Sequence, residues 1–108
     1  MRNIRLTIEY DGTDFFGWQI QSKRHQKTIQ DTIEKTLQKI LQEKVKLIAS
    51  GRTDSGVHAL AQVANFKTHA QISLQRLQKA LNALLPPEIT IIKAEELDLD
   101  FHSRFDVQ

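Results

Sequence analysis

Two hydrophobic periods alternate along this chain, and their order restricts the possible folds more than any other feature. Residues 4–10 alternate apolar and polar side chains, which predicts a half-buried strand. Apolar residues then recur at helical spacing over about 29–43. Thr28 can cap this helix, and Asp31 suits its positive end. The chain therefore begins as a strand followed by an amphipathic helix.

The same two periods predict the remaining elements. Residues 45–49 and about 58–66 read as strands, and 89–92 as a last strand before the acidic end of the chain. Between them, Ser73 caps a second helix that Pro86 and Pro87 stop. We expect its inner face to carry Leu74, Leu77, Leu81, Leu84 and Leu85. The order β-α-β-β-α-β predicts an α+β, ferredoxin-like fold, an antiparallel sheet with two helices on one face.

Composition excludes several classes of function. A chain of 108 residues makes one domain, and it contains no Cys. Disulfide scaffolds, thiolate metal sites and Cys nucleophiles are therefore excluded. No apolar run approaches the roughly 20 residues of a membrane span, and no signal peptide is visible. We expect a cytoplasmic protein without a membrane segment.

The net charge of +2 is unevenly distributed. Residues 1–87 contain 13 basic and 7 acidic side chains, hence +6, whereas residues 88–108 contain 2 basic and 6 acidic, hence −4. A body with this excess of positive charge would attract a polyanion such as a nucleic acid. Ordinary variation of surface charge explains the same numbers.

The densest run of reactive side chains is GRTDSGVHA at 51–59. Two glycines let the backbone turn sharply and approach a ligand. Asp54 lies between them, and Arg52 and the loop N–H groups would favour an ionised, nucleophilic carboxylate. The same residues also suit a plain turn between two strands, with His58 in a structural role.

A short basic loop precedes the first helix. Lys23, Arg24 and Lys27 could neutralise phosphates, although such a run is also typical of a solvated loop. Trp18 could stack on a base or pack the loop onto the sheet.

Several of these runs, in this order, resemble the TruA-type tRNA pseudouridine synthases. They are YDGT at 10–13 with Phe15, GWQ at 17–19, the run at 51–59, LP at 85–86 and FHSRF at 101–105. The resemblance covers nearly the whole chain, and the GRTD-x-GVH run is highly specific.

The resemblance implies isomerisation of uridine to pseudouridine at positions 38 to 40 of the tRNA anticodon arm. It implies a homodimer that needs no cofactor and no metal. Asp54 would be the nucleophile, attacking ribose C1′ or the base ring. Arg52 would pair with it, and Thr53, His58 and Arg104 would support the active site. Lys23, Arg24, Lys27 and Trp18 would contact the RNA.

The chain departs from the family in length and at single positions. Ser103 replaces the usual Ala, and Ile20 a residue that is commonly basic. The family is about twice as long, and its active-site tyrosine, which Tyr10 does not match, falls beyond this chain. We therefore expect a catalytic-half domain at 1–100, the start of a connection to a missing domain at 101–108, and little activity from this fragment alone.

Two other functions fit parts of the sequence. The triplet at 54–56 matches the Asp-Thr/Ser-Gly of dimeric aspartic proteases, but those enzymes are all-β and here two helical stripes are present. The β-α-β-β-α-β order also describes a non-catalytic RNA-recognition module. The third strand lacks the aromatic pattern that such a module needs.

Overall fold

The computed structural model describes residues 1–10, 28–54 and 60–98. Six elements follow one another along the chain. They are β1 (Arg2–Tyr10), α1 (Ile29–Leu41), β2 (Ile48–Asp54), β3 (Leu60–Thr68), α2 (Leu74–Leu84) and β4 (Ile89–Leu97). The predicted β-α-β-β-α-β order is confirmed.

The four strands form one sheet in the order β2-β3-β1-β4. Every neighbouring pair is antiparallel. One row of register partners crosses the whole sheet at one end: Asp54 opposite Leu60, Leu60 opposite Tyr10, and Tyr10 opposite Ile89. We call this row the Asp54 end of the sheet and the opposite end the distal end.

Both helices cover the same face of the sheet, as predicted. Alternate residues of β1, from Ile4 to Tyr10, are buried in a single cluster with residues of both helices. The apolar stripe of α1 is buried at Ile29, Ile33, Leu37 and Leu41. This stripe is part of the common apolar core, and removal of apolar surface from water is the dominant favourable term in folding. In the described ranges, no helix is long and apolar enough to cross a bilayer.

The helix caps are those that the sequence predicts. The Thr28 hydroxyl accepts a hydrogen bond from the Asp31 N–H at 3.1 Å, and the Ser73 hydroxyl one from the Arg76 N–H at 3.2 Å. These bonds satisfy donors that the first turn of a helix leaves free. After α1, Gln42 adopts the left-handed conformation at φ 56° and ends the helix.

Several predicted boundaries are wrong. The second strand begins at Ile48 rather than 45 and continues through residues 51–54, which the sequence suggested as loop. The strand β3 ends at Thr68 rather than 66, while its predicted start at about 58 lies outside the described residues. The strand β4 extends to Leu97, beyond the predicted end at 92. In each case the ladder with a neighbouring strand holds polar residues in extended conformation. Tertiary pairing outweighs the local pattern here.

The predicted inner face of α2 also needs one correction. Leu77 and Leu81 are fully buried, but Leu84 is 57% exposed. Leu84 is the last helical residue, and the next residue, Leu85, turns to an extended conformation. Leu85 takes the buried place instead, at 7% exposure.

Side chains of α2 cover part of the free edge of β4. Asn82 accepts a hydrogen bond from the Ile91 N–H at 2.8 Å and donates one to the Ile91 carbonyl at 3.0 Å. Gln78 donates a second bond to the same carbonyl at 2.9 Å. The Ile89 N–H is bonded to the Pro86 carbonyl. The amide of Asn82 thus replaces a neighbouring strand at this edge.

The second half of β4 is charged and tied to β1. Arg2 pairs with Glu96 at 2.9 Å and Arg5 with Glu95 at 3.0 Å. The Arg2 hydrogen bond lowers the pKa of Glu96. Burial raises the pKa of Glu95, but hydrogen bonds from Arg5 and Lys93 outweigh it, so the net pKa is lowered. Such charges keep an edge strand from pairing with other chains.

Candidate active site

Asp54 is the last residue of β2, at the Asp54 end of the sheet. Its backbone is opposite Leu60, the first described residue of β3. The strand β2 lies at the edge of the sheet, so among the described residues β3 is its one neighbouring strand.

The path of β2 toward Asp54 is interrupted by one irregularity. Ala49 pairs with Ala64, but Gly51 pairs with Val63, so one extra residue enters β2 between them. Such a bulge bends a strand and is frequent next to active sites. After it, Arg52 is opposite Gln62 and Thr53 opposite Ala61. Arg52 and Asp54 occupy alternate positions of the same short stretch.

Two buried polar residues stand next to this stretch. Gln62, the register partner of Arg52, is 3% exposed although its neighbours on that face of β3 are Ala64 and Phe66. Tyr10 is also 3% exposed and belongs to the core. The sequence prediction missed Gln62. A polar residue at an inward position of an apolar strand is the signal that could have identified it, since buried polar groups need partners.

The two ends of α1 are held by different parts of the chain. At its start, Gln30 donates a hydrogen bond to the Leu47 carbonyl at 3.0 Å, just before β2. After its end, Glu43 accepts hydrogen bonds from the Thr68 hydroxyl at 2.6 Å and from the His69 N–H at 3.1 Å, at the distal end of the sheet. These bonds lower the pKa of Glu43 below its ordinary value of 4.5.

The structure places only part of the predicted site. It fixes the backbone of Arg52, Thr53 and Asp54 and brings them together on β2. The other predicted site residues lie outside the described residues: Trp18, Lys23, Arg24, Lys27, His58 and Arg104. The boundary predicted at residue 100 also lies outside them.

The sequence of this strand end supplies a carboxylate at Asp54 and a guanidinium at Arg52, two residues before it. In residues 1–10, 28–54 and 60–98, no group of three or more His, Asp or Glu side chains is arranged to hold a metal ion. A strand-end Asp with an Arg two residues before it can act as a nucleophile or a base without any bound ion.

Comparison with known proteins gives consistent matches. The family model described as tRNA pseudouridine synthase matches residues 6–106. The chain is 52% identical over 105 residues to "tRNA pseudouridine synthase A 2" of Clostridium tetani, and 55% identical over 105 residues to "tRNA pseudouridine synthase A" of Caldicellulosiruptor bescii. A relative of the same name from Thermoanaerobacter pseudethanolicus is 44% identical over 105 residues.

These matches cover different shares of the two aligned sequences. Each includes 97% of this chain but 42% of the relative's own length. The chain therefore spans less than half the length of the curated relatives that it matches.

Proposed function

Since this chain belongs to the tRNA pseudouridine synthase family, we propose that it forms the nucleophile-bearing half of an enzyme that converts uridine to pseudouridine in tRNA. Residues 1–100 are the catalytic-half domain of this proposal, and 101–108 begin the connection to a second domain. The substrate uridines are those at positions 38 to 40 of the anticodon arm. The whole enzyme acts as a cytoplasmic homodimer, without a cofactor or metal.

The position of Asp54 supports this proposal most directly. It is the one carboxylate in the specific GRTD-x-GVH run, and its backbone is at the end of an edge strand. The resemblance assigns the nucleophile to this position. The register of β2 against β3 sets its backbone opposite Leu60.

The proposed reaction is a balanced isomerisation. A carboxylate oxygen of Asp54 bonds to C1′ of the ribose while the bond from C1′ to N1 of uracil breaks, and uracil leaves with the electron pair. The base rotates, and C5 bonds to C1′ as the ester bond to Asp54 breaks. The proton on C5 is then lost and N1 gains one. Nothing is oxidised or reduced, so no co-reactant is needed.

The neighbouring residues have supporting roles in this proposal. Arg52 pairs with Asp54 and keeps its carboxylate ionised, because an adjacent guanidinium favours the charged form. Thr53, His58 and Arg104 complete the pocket. Gln62 positions Arg52 from the adjacent strand. Each of these residues acts on a uridine that has left the base stack, since C1′ and C5 are not accessible inside a stacked arm.

A tritium-release assay tests the proposal. tRNA labelled with tritium at C5 of uridine loses the label when C5 becomes the glycosidic carbon. We would assay this chain and a chimera in which it replaces the matching 105 residues of the Clostridium tetani relative. We expect release by the chimera and little or none by the isolated chain. Asp54→Asn should abolish release by the chimera while tRNA binding persists.

Asp98→Asn is the matched control, because Asp98 is exposed and follows the distal end of β4. This substitution removes the same charge and should leave release unchanged. Substantial release by Asp54→Asn would refute the nucleophile. No release by the unsubstituted chimera, with tRNA bound normally, would favour a non-catalytic RNA-binding module.

A further inference from the structure

A cavity lies at the distal end of the sheet, remote from Asp54. Its volume is about 280 Å³, and it opens between the segment that returns from α1 to β2 and the end of β3. Three lysines line it: Lys44 and Lys46 from the returning segment and Lys67 from β3. We call it the lysine cavity.

Among the described residues, no carboxylate pairs with the three ammonium groups. Lys44 and Lys46 are exposed and Lys67 is half-buried. In the described part of the chain none of them forms an ion pair, whereas Lys35 pairs with Asp31 and Lys93 with Glu95. Three unpaired cations around one opening create a local positive potential that attracts anions.

The acidic residue at this cavity does not cancel that charge by direct pairing. Glu43 lines the cavity, but its carboxylate accepts hydrogen bonds from Thr68 and His69. Its oxygens are therefore directed to the end of β3. The lysines are left to bind an external partner.

A further polar group in the wall lacks a partner. Asn65 is 1% exposed and lines the cavity. Its amide nitrogen donates to Asn3 at 3.0 Å, but its oxygen Oδ1 is buried and accepts no hydrogen bond. Buried acceptors without a donor are rare in folded proteins.

We propose that the lysine cavity binds the sugar–phosphate backbone of the tRNA substrate at a second place, separate from the uridine that reacts at Asp54. This inference rests on the proposed function for the identity of the RNA. Ile48 lines the cavity, and Asp54 is six residues further along β2. At the rise of a strand the two sites are about 20 Å apart. One tRNA is large enough to reach both.

Lysine contacts to phosphate fix the orientation of a nucleic acid without reading its sequence. The lysine cavity would therefore orient the tRNA so that the anticodon arm meets the Asp54 end of the sheet. Affinity for the tRNA, rather than the chemical step, should depend on these lysines.

The salt dependence of tRNA binding by this chain tests the proposal. We would compare the triple variant Lys44→Gln, Lys46→Gln, Lys67→Gln with the triple variant Lys39→Gln, Arg76→Gln, Lys79→Gln. The control removes the same charge from exposed residues of the two helices. Filter binding of tRNA is measured at salt concentrations from about 0.05 M to about 1 M. The data give the slope of log K against log salt.

We expect the cavity variant to reduce this slope by about 2, because each phosphate contact contributes about 0.7–0.9. If the two lines meet near 1 M salt, binding at 0.1 M is weaker by about 100-fold. The control should keep the slope of the unsubstituted chain. Thermal unfolding establishes that both variants fold.

Equal slopes for the two variants would overturn the lysine cavity as an RNA contact, as would failure of the unsubstituted chain to bind tRNA. Neither result bears on the reaction, which tritium release by the chimera decides separately. In the chimera, the cavity variant should raise KM and leave kcat within about twofold, since it removes uniform binding. A fall in kcat at constant KM would contradict the proposal.

Discussion

Replacing Asn82 with alanine removes both hydrogen bonds that its amide forms with Ile91 at the edge of β4. A hydrogen bond of this kind contributes about 1 kcal/mol to the free energy of unfolding. The higher helix propensity of alanine offsets about 0.5 kcal/mol of this loss. The net loss should be about 1.5 kcal/mol, which corresponds to a fall in Tm of about 6–10 °C for a domain of this size.

Gln78→Ala is the informative comparison, because both residues of α2 bond to the same backbone unit. After this change the Ile91 carbonyl still accepts a bond from Asn82, and the Ile91 N–H keeps its own. After Asn82→Ala, in contrast, the N–H has no partner among the described residues. We expect Gln78→Ala to cost less than about 0.5 kcal/mol once helix propensity is included.

Urea unfolding followed by circular dichroism measures these differences. Gln75→Ala, at an exposed position of the same helix, controls for propensity and should be neutral or slightly stabilising. Asn82→Ala should also associate at high concentration, because it opens a strand edge. Equal losses for Asn82→Ala and Gln78→Ala would refute the role assigned to the Asn82 amide.

Three further results are expected. Arg52→Ala in the chimera should lower kcat more than tRNA affinity, with partial recovery in Arg52→Lys; an unchanged kcat would exclude a catalytic role. Leu37→Ala, at a fully buried position, should lower the free energy of unfolding by about 2–5 kcal/mol, measured in urea. A loss below about 1 kcal/mol, which is typical of surface substitutions, would contradict the packing. The pKa values of Glu43, Glu95 and Glu96 are lowered in the folded state. Their contribution is therefore complete above pH 4.5 and lost as the pH falls through the lower folded values, so Tm should fall with acidification in this range. A Tm that stays constant below pH 4.5 would show that these three carboxyl groups have the same pKa values in the folded and unfolded chain.

The order of elements was predictable because burial imposes its period on the sequence. The stripe of α1 and the alternation of β1 are both inner faces of one core. The limits of β2 and β4 were not predictable in the same way. Residues 51–54 and 93–97 lack apolar alternation, and pairing with β3 and β1 alone keeps them in the sheet. A pattern within one segment contains no information about such partners.

The candidate site also contains residues that the sequence indicates and residues that it does not. Asp54 and Arg52 could be identified because reactive residues and glycines are concentrated in one run of the sequence. The proximity of Gln62 to Arg52 could not, because it depends on the register between two strands. The lysine cavity was missed for a similar reason. Lys67 is more than 20 residues from Lys44 and Lys46 in the sequence, and only the fold brings them together.

The extra residue in β2 determines which insertions and deletions this segment can tolerate. Before the bulge, Ala49 is opposite Ala64; after it, Arg52 is opposite Gln62. Deleting the extra residue between them would give an unbroken ladder and leave Arg52 opposite Gln62 and Asp54 opposite Leu60. If the extra residue instead entered the ladder, Arg52 would move opposite Ala61. A shift of one residue exchanges the two faces of a strand. One deletion at this place should therefore preserve the partners of residues 52–54, whereas a further insertion would require a second bulge or a change of register.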